Sequence, residues 1–251
     1  MPDSIVNIAI DGWRLAYRFL FAMPMLSGTA LSTILSFRIG AEYVWPSAVG
    51  RLSAGLPQPP PPIRLMMTII TLAIMASILI AVHRFVILGE LVDRPVWHVP
   101  PTYRRFVGWL VLLSLPWLGP LAAAVLFGPL LPVPSVILSL LSLAFAAVLA
   151  VRLMLLFPAL AVAIPSADWR RAWTDSRDHA WKFLGAQMAA CMPLILASTI
   201  VYLWLSKIPS AGEIMLLFCA AEESASQLLM ICLSAAVASR LFQNYGAALA
   251  R

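Results

Sequence analysis

Apolar residues gather into six long runs, at about 19–37, 65–82, 106–127, 133–151, 183–205 and 214–238. Each is close to the ~20 residues that a helix needs to cross a ~30 Å hydrocarbon layer, so the pattern predicts about six transmembrane helices. Pro24, Pro116, Pro120 and Pro193 fall inside or near the ends of these runs. Neighbouring helices can satisfy the carbonyls that a proline frees, so these positions predict kinks. The third loop, Gly128 to Pro132, carries no charge and predicts a tight hairpin. The first, about Gly40 to Ile63, holds Trp45, Pro46 and a run from Pro57 to Pro62 broken only by Gln58. Such a run favours an extended polyproline segment, either a rigid spacer or a docking site for a partner.

Two further segments alternate at helical spacing instead of running apolar throughout. In residues 3–18, Asn7, Asp11, Arg14 and Arg18 share one stripe, with Ile5, Ile8, Leu15 and the following Phe19 opposite. In residues 166–182, Ser166 is placed to cap a helix. Trp169, Ala172, Trp173, Ser176 and Ala180 form one face there, continued by Phe183, while Arg170, Arg171, Arg177, Asp178 and Lys182 crowd the other. Arg171 with Asp175, and Asp178 with Lys182, are four apart and support a helix. Tryptophan beside arginine suits the membrane–water boundary, so both segments are predicted to be amphipathic helices lying on the surface.

Composition fits this picture. Of 251 residues, 62% are hydrophobic and 11% charged, with a mean hydropathy of +0.92, whereas soluble domains are about 25% charged. The spans use up the length, so residues 1–251 are expected to form a single integral membrane domain, an all-α polytopic helical bundle with no separate soluble catalytic domain. The N-terminal residues lack the short basic region and apolar stretch of a signal peptide, which predicts that the first span is retained. The net charge of +6 is scattered through the connecting segments rather than gathered on one compact face, which argues against nucleic acid and for anionic lipid headgroups as partners. Counted on alternate sides of six spans, 13 of the 17 Lys and Arg residues fall on one side, leaving Arg38, Arg51, Arg64 and Lys207 on the other. The positive-inside rule then predicts cytoplasmic N- and C-termini. Cys191, Cys219 and Cys232 lie in apolar runs without metal-ligand or redox spacing, so free buried thiols are expected.

Candidate chemistry is sparse. Glu222 and Glu223, with Ser224, Ser226 and Gln227 nearby, interrupt the sixth run. A carboxylate near the bilayer centre must be paired, protonated or facing the bundle, unless the helix shifts and leaves it at the outer interface. These residues are the basis for an ion or proton site. Arg152 is the partner suggested by charge, but its place at the inner end of the fourth span argues against contact and for a side chain reaching the headgroups. His83, Arg84 and Glu90 offer a second arrangement, in which arginine holds a phosphate and histidine moves a proton. His98 and His179 lie in other segments, and Met188, Met192, Met215 and Met230 read as packing residues. Motifs for zinc hydrolysis, a nucleophile elbow, nucleotide binding and calcium are absent from the sequence, so no catalytic residue, metal or cofactor is assigned.

Two stretches carry a family resemblance. His83-Arg84-Phe85-Val86-Ile87-Leu88-Gly89-Glu90 resembles a segment of small proteobacterial six-helix membrane proteins. The region from Val151-Arg152-Leu153 through Phe157-Pro158-Ala159, then Ala172-Trp173-Thr174 and Trp181-Lys182-Phe183-Leu184-Gly185, is similar to one shared by YciC-type proteins and the membrane domain fused to some glycerophosphodiester phosphodiesterases. Ser239-Arg240-Leu241-Phe242 resembles their closing motif, while Asp178 stands where they tend to have glycine. The resemblance implies a bacterial inner-membrane protein. The phosphodiesterase chemistry of the fused relatives belongs to a soluble domain and does not carry over.

The expectation is therefore a non-enzymatic accessory or scaffold subunit, or an envelope-maintenance factor, meeting anionic lipids and other membrane-protein subunits. Its interface candidates are Arg84, Arg152, Trp169, Arg170, Arg171, Trp173, Arg177, Trp181 and Lys182. A transporter using Glu222 or Glu223, and a lipid-active enzyme using His83, Arg84 and Glu90, are the alternatives.

Overall fold

The computed structural model describes residues 4–44, 61–91, 101–118, 132–205, 212–246 and Leu249. Every element among them is helical: α1 (Ile5–Ala22), α2 (Pro24–Val44), α3 (Pro61–Leu88), α4 (Pro101–Ser114), a 3-10 turn (Leu115–Leu118), α5 (Pro132–Arg152), α6 (Leu156–Ala161), α7 (Trp169–Ser176), α8 (Ala180–Leu205) and α9 (Gly212–Tyr245). Among the described residues three helical stretches are long and apolar enough to cross a membrane: Ile70–Leu88, Ala180–Trp204 and Leu217–Tyr245. A fourth arises if α1 and α2 count as one bent span. The apolar stretch of α5, Val136–Arg152, is shorter, and the second half of the expected third span lies outside the described residues. So do the third loop up to Pro132 and most of the first, although Pro61, the last but one of the proline run, opens α3. Proline suits that first helical position, where its missing N–H would be unpaired in any case.

The expected first span is not one helix. Ser4 caps α1 by accepting the Asn7 amide at 3.2 Å, and the helix runs to Ala22. Met23 then leaves helical geometry at φ −127°, ψ 62°. The ring of Pro24 disfavours the helical region for the residue before it, so the first helix stops there and a second starts at the proline. The two axes differ by 95°. Consequently α1 lies across the bundle, with Ile8, Ala9, Gly12, Ala16 and Phe19 buried against α8 and α9. That stripe is rotated from the predicted one: Ile5 is exposed and Gly12 is at the contact, where a Cβ would sit 2.6 Å from Val237 Cγ2.

Helix α9 is the axis of the fold, touching α1, α2, α3, α6 and α8. From Ile231 to Ser239 nearly every side chain is buried, and the run Ser234-Ala235-Ala236 keeps them small. Small residues let backbones approach closely, which replaces the hydrophobic drive that lipid cannot supply between helices. Helix α3 ends in an αL cap, Gly89 at φ 70° donating its N–H to Phe85 O at 3.1 Å. After α5 the chain does not skirt the surface. Leu153, Leu155, Leu156, Pro158, Ala159, Leu160 and Ala161 are buried, so α6 plugs the space between α3, α4 and α9.

The second expected surface helix is also divided. Helix α7 covers only Trp169–Ser176, a turn follows at 177–179, and α8 begins at Ala180. Asp168 rather than Ser166 occupies the cap position, and Ser166 Oγ donates to Leu249 O at 3.0 Å. Members of the predicted local pairs reach distant partners: Asp175 accepts the Leu249 amide at 3.2 Å, and Lys182 bonds the Tyr245 hydroxyl.

Candidate functional site

The polar groups that join distant elements concentrate at one end of the bundle, where α3, α5, α7 and α9 meet the starts of α4 and α8. At the end of α3, consecutive residues point about 100° apart, and His83 and Arg84 diverge accordingly. His83 is 1% exposed and its Nδ1 lies 2.7 Å from Ser239 Oγ on α9. Ser239 spends its single proton on Ala235 O at 2.8 Å, so the imidazole is the donor in that pair. Arg84 turns instead to α6, donating Nη1 to Ala161 O at 3.1 Å, while Nε and Nη2 both reach Glu90 Oε2 at 2.7 Å. The Gly89 turn is what folds Glu90 back onto this arginine.

Thus Arg84 and Glu90 come together as the sequence suggests, and His83 does not join them. Its ring is enclosed between Ser239 and Phe106, whose centroid is 6.3 Å away, which leaves it no path to a phosphate held at Arg84. Other arginines at this end are structural ties. Arg105 donates to Ala167 O at 3.2 Å, and Arg240 pairs with Asp11 at 3.3 Å and with Gln243 at 3.1 Å. Gln243 in turn donates to Val86 O at 3.3 Å.

Arg152 is different. Its guanidinium lies 5.3 Å from the ring centre of Trp173, a cation–π contact that ties the end of α5 to α7. Ser176 reinforces that tie by donating to Arg152 O at 2.9 Å. Nη1 of Arg152 is buried and makes no hydrogen bond among the described residues, and no carboxylate there lies within ion-pair distance. Around it Trp169, Arg170, Arg171, Trp173, Arg177 and Trp181 are exposed, Trp181 to 84%, with Arg170 stacked 5.4 Å from the Trp169 ring. Lys182 is half-buried over Tyr245, at 5.1 Å. The exposed cations on this short stretch are therefore Arg170, Arg171 and Arg177 rather than all four of those predicted, and Asp168 and Asp178 are exposed beside them.

The intramembrane carboxylates are placed elsewhere. Helices α8 and α9 run antiparallel, registered by Gln187 Nε2 donating to Ser234 Oγ at 2.6 Å and by Ser198 and Ser226 hydroxyls 2.9 Å apart. That register sets Glu222 opposite the last turn of α8. Ser226 donates to Glu222 Oε1 at 2.8 Å, so Ser198 supplies the proton to Ser226 in a short relay. Glu222 is half-buried, Glu223 is exposed and Gln227 is half-buried. Arg152 and Glu222 sit at opposite ends and do not meet. Among the described residues no three of His, Cys, Asp and Glu converge as metal ligands. The Gln187–Ser234 and His83–Ser239 pairs and the buried α6 were not foreseen. The only local signs of them were small polar residues among alanines in 234–239 and the apolar run 153–161.

Compared with known protein families, with curated proteins and with solved structures, the chain matches none of them.

Proposed function

We propose that this chain is a multi-pass protein of a bacterial inner membrane whose basic end grips anionic lipid headgroups, serving as an accessory or scaffold subunit or an envelope-maintenance factor. The observation that carries this reading is the exposed set Trp169, Arg170, Arg171, Trp173, Arg177 and Trp181, gathered on α7, the turn after it and the first turn of α8. Tryptophan and arginine together favour the headgroup depth, and each basic residue near an anionic surface contributes on the order of 1 kcal/mol of attraction. Helix α1 exposes two further cations, Arg14 and Arg18. The resemblance of 83–90 and 151–185 to YciC-type proteins favours the same reading.

The test is the full chain in vesicles of phosphatidylcholine with and without phosphatidylglycerol. Arg170→Gln, Arg171→Gln and Arg177→Gln combined should lower salt-sensitive enrichment of phosphatidylglycerol around the protein severalfold, and an unchanged enrichment would overturn the reading.

A transporter is the second reading, favoured by the Ser198–Ser226–Glu222 relay alone. Its weakness is the position of Glu222 opposite the last turn of α8 rather than midway along it.

A further inference from the structure

Helix α5 is held away from the bundle. Val136, Ile137, Leu140, Leu141, Phe145 and Val148 are exposed, and Ala146 is its one side chain between 136 and 152 that is buried. Grooves run along both flanks of the helix. The first, of about 430 Å³, lies between α5 and α4 with its 3-10 turn, walled by Trp109, Leu113, Phe145, Leu149 and, at its basic end, Trp169 and Trp173. The second, of about 220 Å³, lies between α5 and α8, walled by Val148, Val151, Leu184, Trp181 and Arg152. The first groove is almost wholly apolar and the second mainly so, with Arg152 as its charged member.

They converge on one charge. The Arg152 guanidinium lines the second groove and stacks on Trp173, which walls the first. Among the half-buried arginines of the described residues, Arg84 pairs with Glu90 and Arg240, although its Nε is also buried and unbonded, pairs with Asp11, whereas Arg152 has an indole, a buried, unbonded Nη1 and no carboxylate within ion-pair distance. A partly buried cation without a counter-charge favours an anion as its missing partner. A ligand fitting both features has one anionic head and two apolar arms.

We infer that Arg152 anchors a single two-chain anionic phospholipid seated astride α5, its phosphate on the guanidinium and one acyl chain in each groove. This deepens, and rests on, the reading of the basic end as a headgroup-facing surface, but it concerns one bound lipid rather than a diffuse annulus. The phosphate receives charge-assisted N–H bonds, with Trp181 and Trp173 flanking it at the level where aromatic rings meet headgroups. The chains take up the apolar walls that α5 leaves uncovered.

Native mass spectrometry of the delipidated full chain in detergent, titrated with phosphatidylglycerol, lysophosphatidylglycerol and glycerol phosphate, tests the inference. One phosphatidylglycerol should be retained per chain, at least about tenfold more tightly than the one-chain form, and glycerol phosphate should not compete. Arg152→Gln should weaken that lipid about tenfold or more, with Arg152→Lys intermediate. Leu149→Trp fills the first groove and Ala147→Trp the second, without touching the charge. Each should erase the preference for two chains over one. Should Arg152→Gln fail to fold, these two variants decide the matter. Equal retention of the one- and two-chain lipids by the unaltered chain, competition by glycerol phosphate, or full retention in Arg152→Gln would overturn the inference. The vesicle enrichment lost on neutralising Arg170, Arg171 and Arg177 is read separately, so the belt can stand while the single site falls, or the reverse.

Discussion

Arg240 near the end of α9 reaches Asp11 in the middle of α1 at 3.3 Å, closing a contact between residues 229 positions apart. The Arg240 and Asp11 side chains are 40% and 32% exposed, and Arg14 also approaches Asp11 at 3.5 Å. A pair so open to solvent contributes little on its own, about 0–1 kcal/mol. Asp11→Asn is therefore expected to lower the melting temperature of the detergent-solubilised protein by no more than a few degrees, and a loss of folding would show that the pair carries the docking of α1.

One residue further on, the same contact should be far less forgiving. Gly12 faces Val237 where a Cβ would stand 2.6 Å from its methyl, with Leu233 Cδ1 at 3.6 Å. Gly12→Leu must lift α1 from α9 or displace both side chains, at a cost of about 1–3 kcal/mol or more. Thermal unfolding should fall well below that of Asp11→Asn, and proteolysis should cut first between α1 and α2. Equal stability of the two variants would contradict the close crossing.

His83 offers a test that separates structure from catalysis. Ser239→Ala leaves the Nδ1 proton buried without an acceptor, which costs about 1–3 kcal/mol. Replacing His83 and Ser239 together by apolar residues should recover part of that loss, because both polar groups are then gone. A double-mutant cycle on thermal stability measures the coupling. If His83→Phe instead leaves stability unchanged and removes turnover of a phospholipid, the residue serves chemistry and the buried pair is incidental.

Glu222 tests the transporter reading. Proteoliposomes are expected to pass no more protons or sodium than empty vesicles, with the unaltered chain and with Glu222→Gln alike. A flux that disappears in Glu222→Gln and in Ser226→Ala would replace the scaffold reading by a carrier.

The orientation expected from the charge asymmetry can be checked directly. With Cys219 replaced by serine, Glu223→Cys should react with an impermeant maleimide from outside intact cells. Arg177→Cys should react only after permeabilisation, and the opposite pattern would invert the assignment of sides.

The parts of the fold that the sequence announces are those decided by solvent. The runs 65–82, 183–205 and 214–238 are apolar for about 20 residues, and each lies within a described helix long enough to span. What was hidden depends on partners far along the chain. Pro24 marks a break, but its 95° angle is set by α1 lying on α8 and α9. Asp175 and Lys182 look like members of local helix pairs, yet they also bond the distant Leu249 amide and Tyr245 hydroxyl, and the segment divides at 177–179. At the candidate site, the arginines and tryptophans of 169–181 were legible from their alternation. That Arg152 has no ion-pair partner among the described residues was not, because it follows from where their carboxylates fall in space. Likewise nothing local ties His83 to Ser239, 156 residues away.

The docking of α1 on α9 also has a bearing on how the protein is made. Translation at about 5–20 residues per second means that the surface receiving α1 emerges on the order of tens of seconds after α1 itself. Until α8 and then α9 are made, the first helix must wait at the membrane with the apolar stripe from Ile8 to Phe19 unmatched. A chain cut short before α8 never supplies either receiving surface, so such prematurely terminated products are left with an exposed first helix by which quality-control proteases can recognise them.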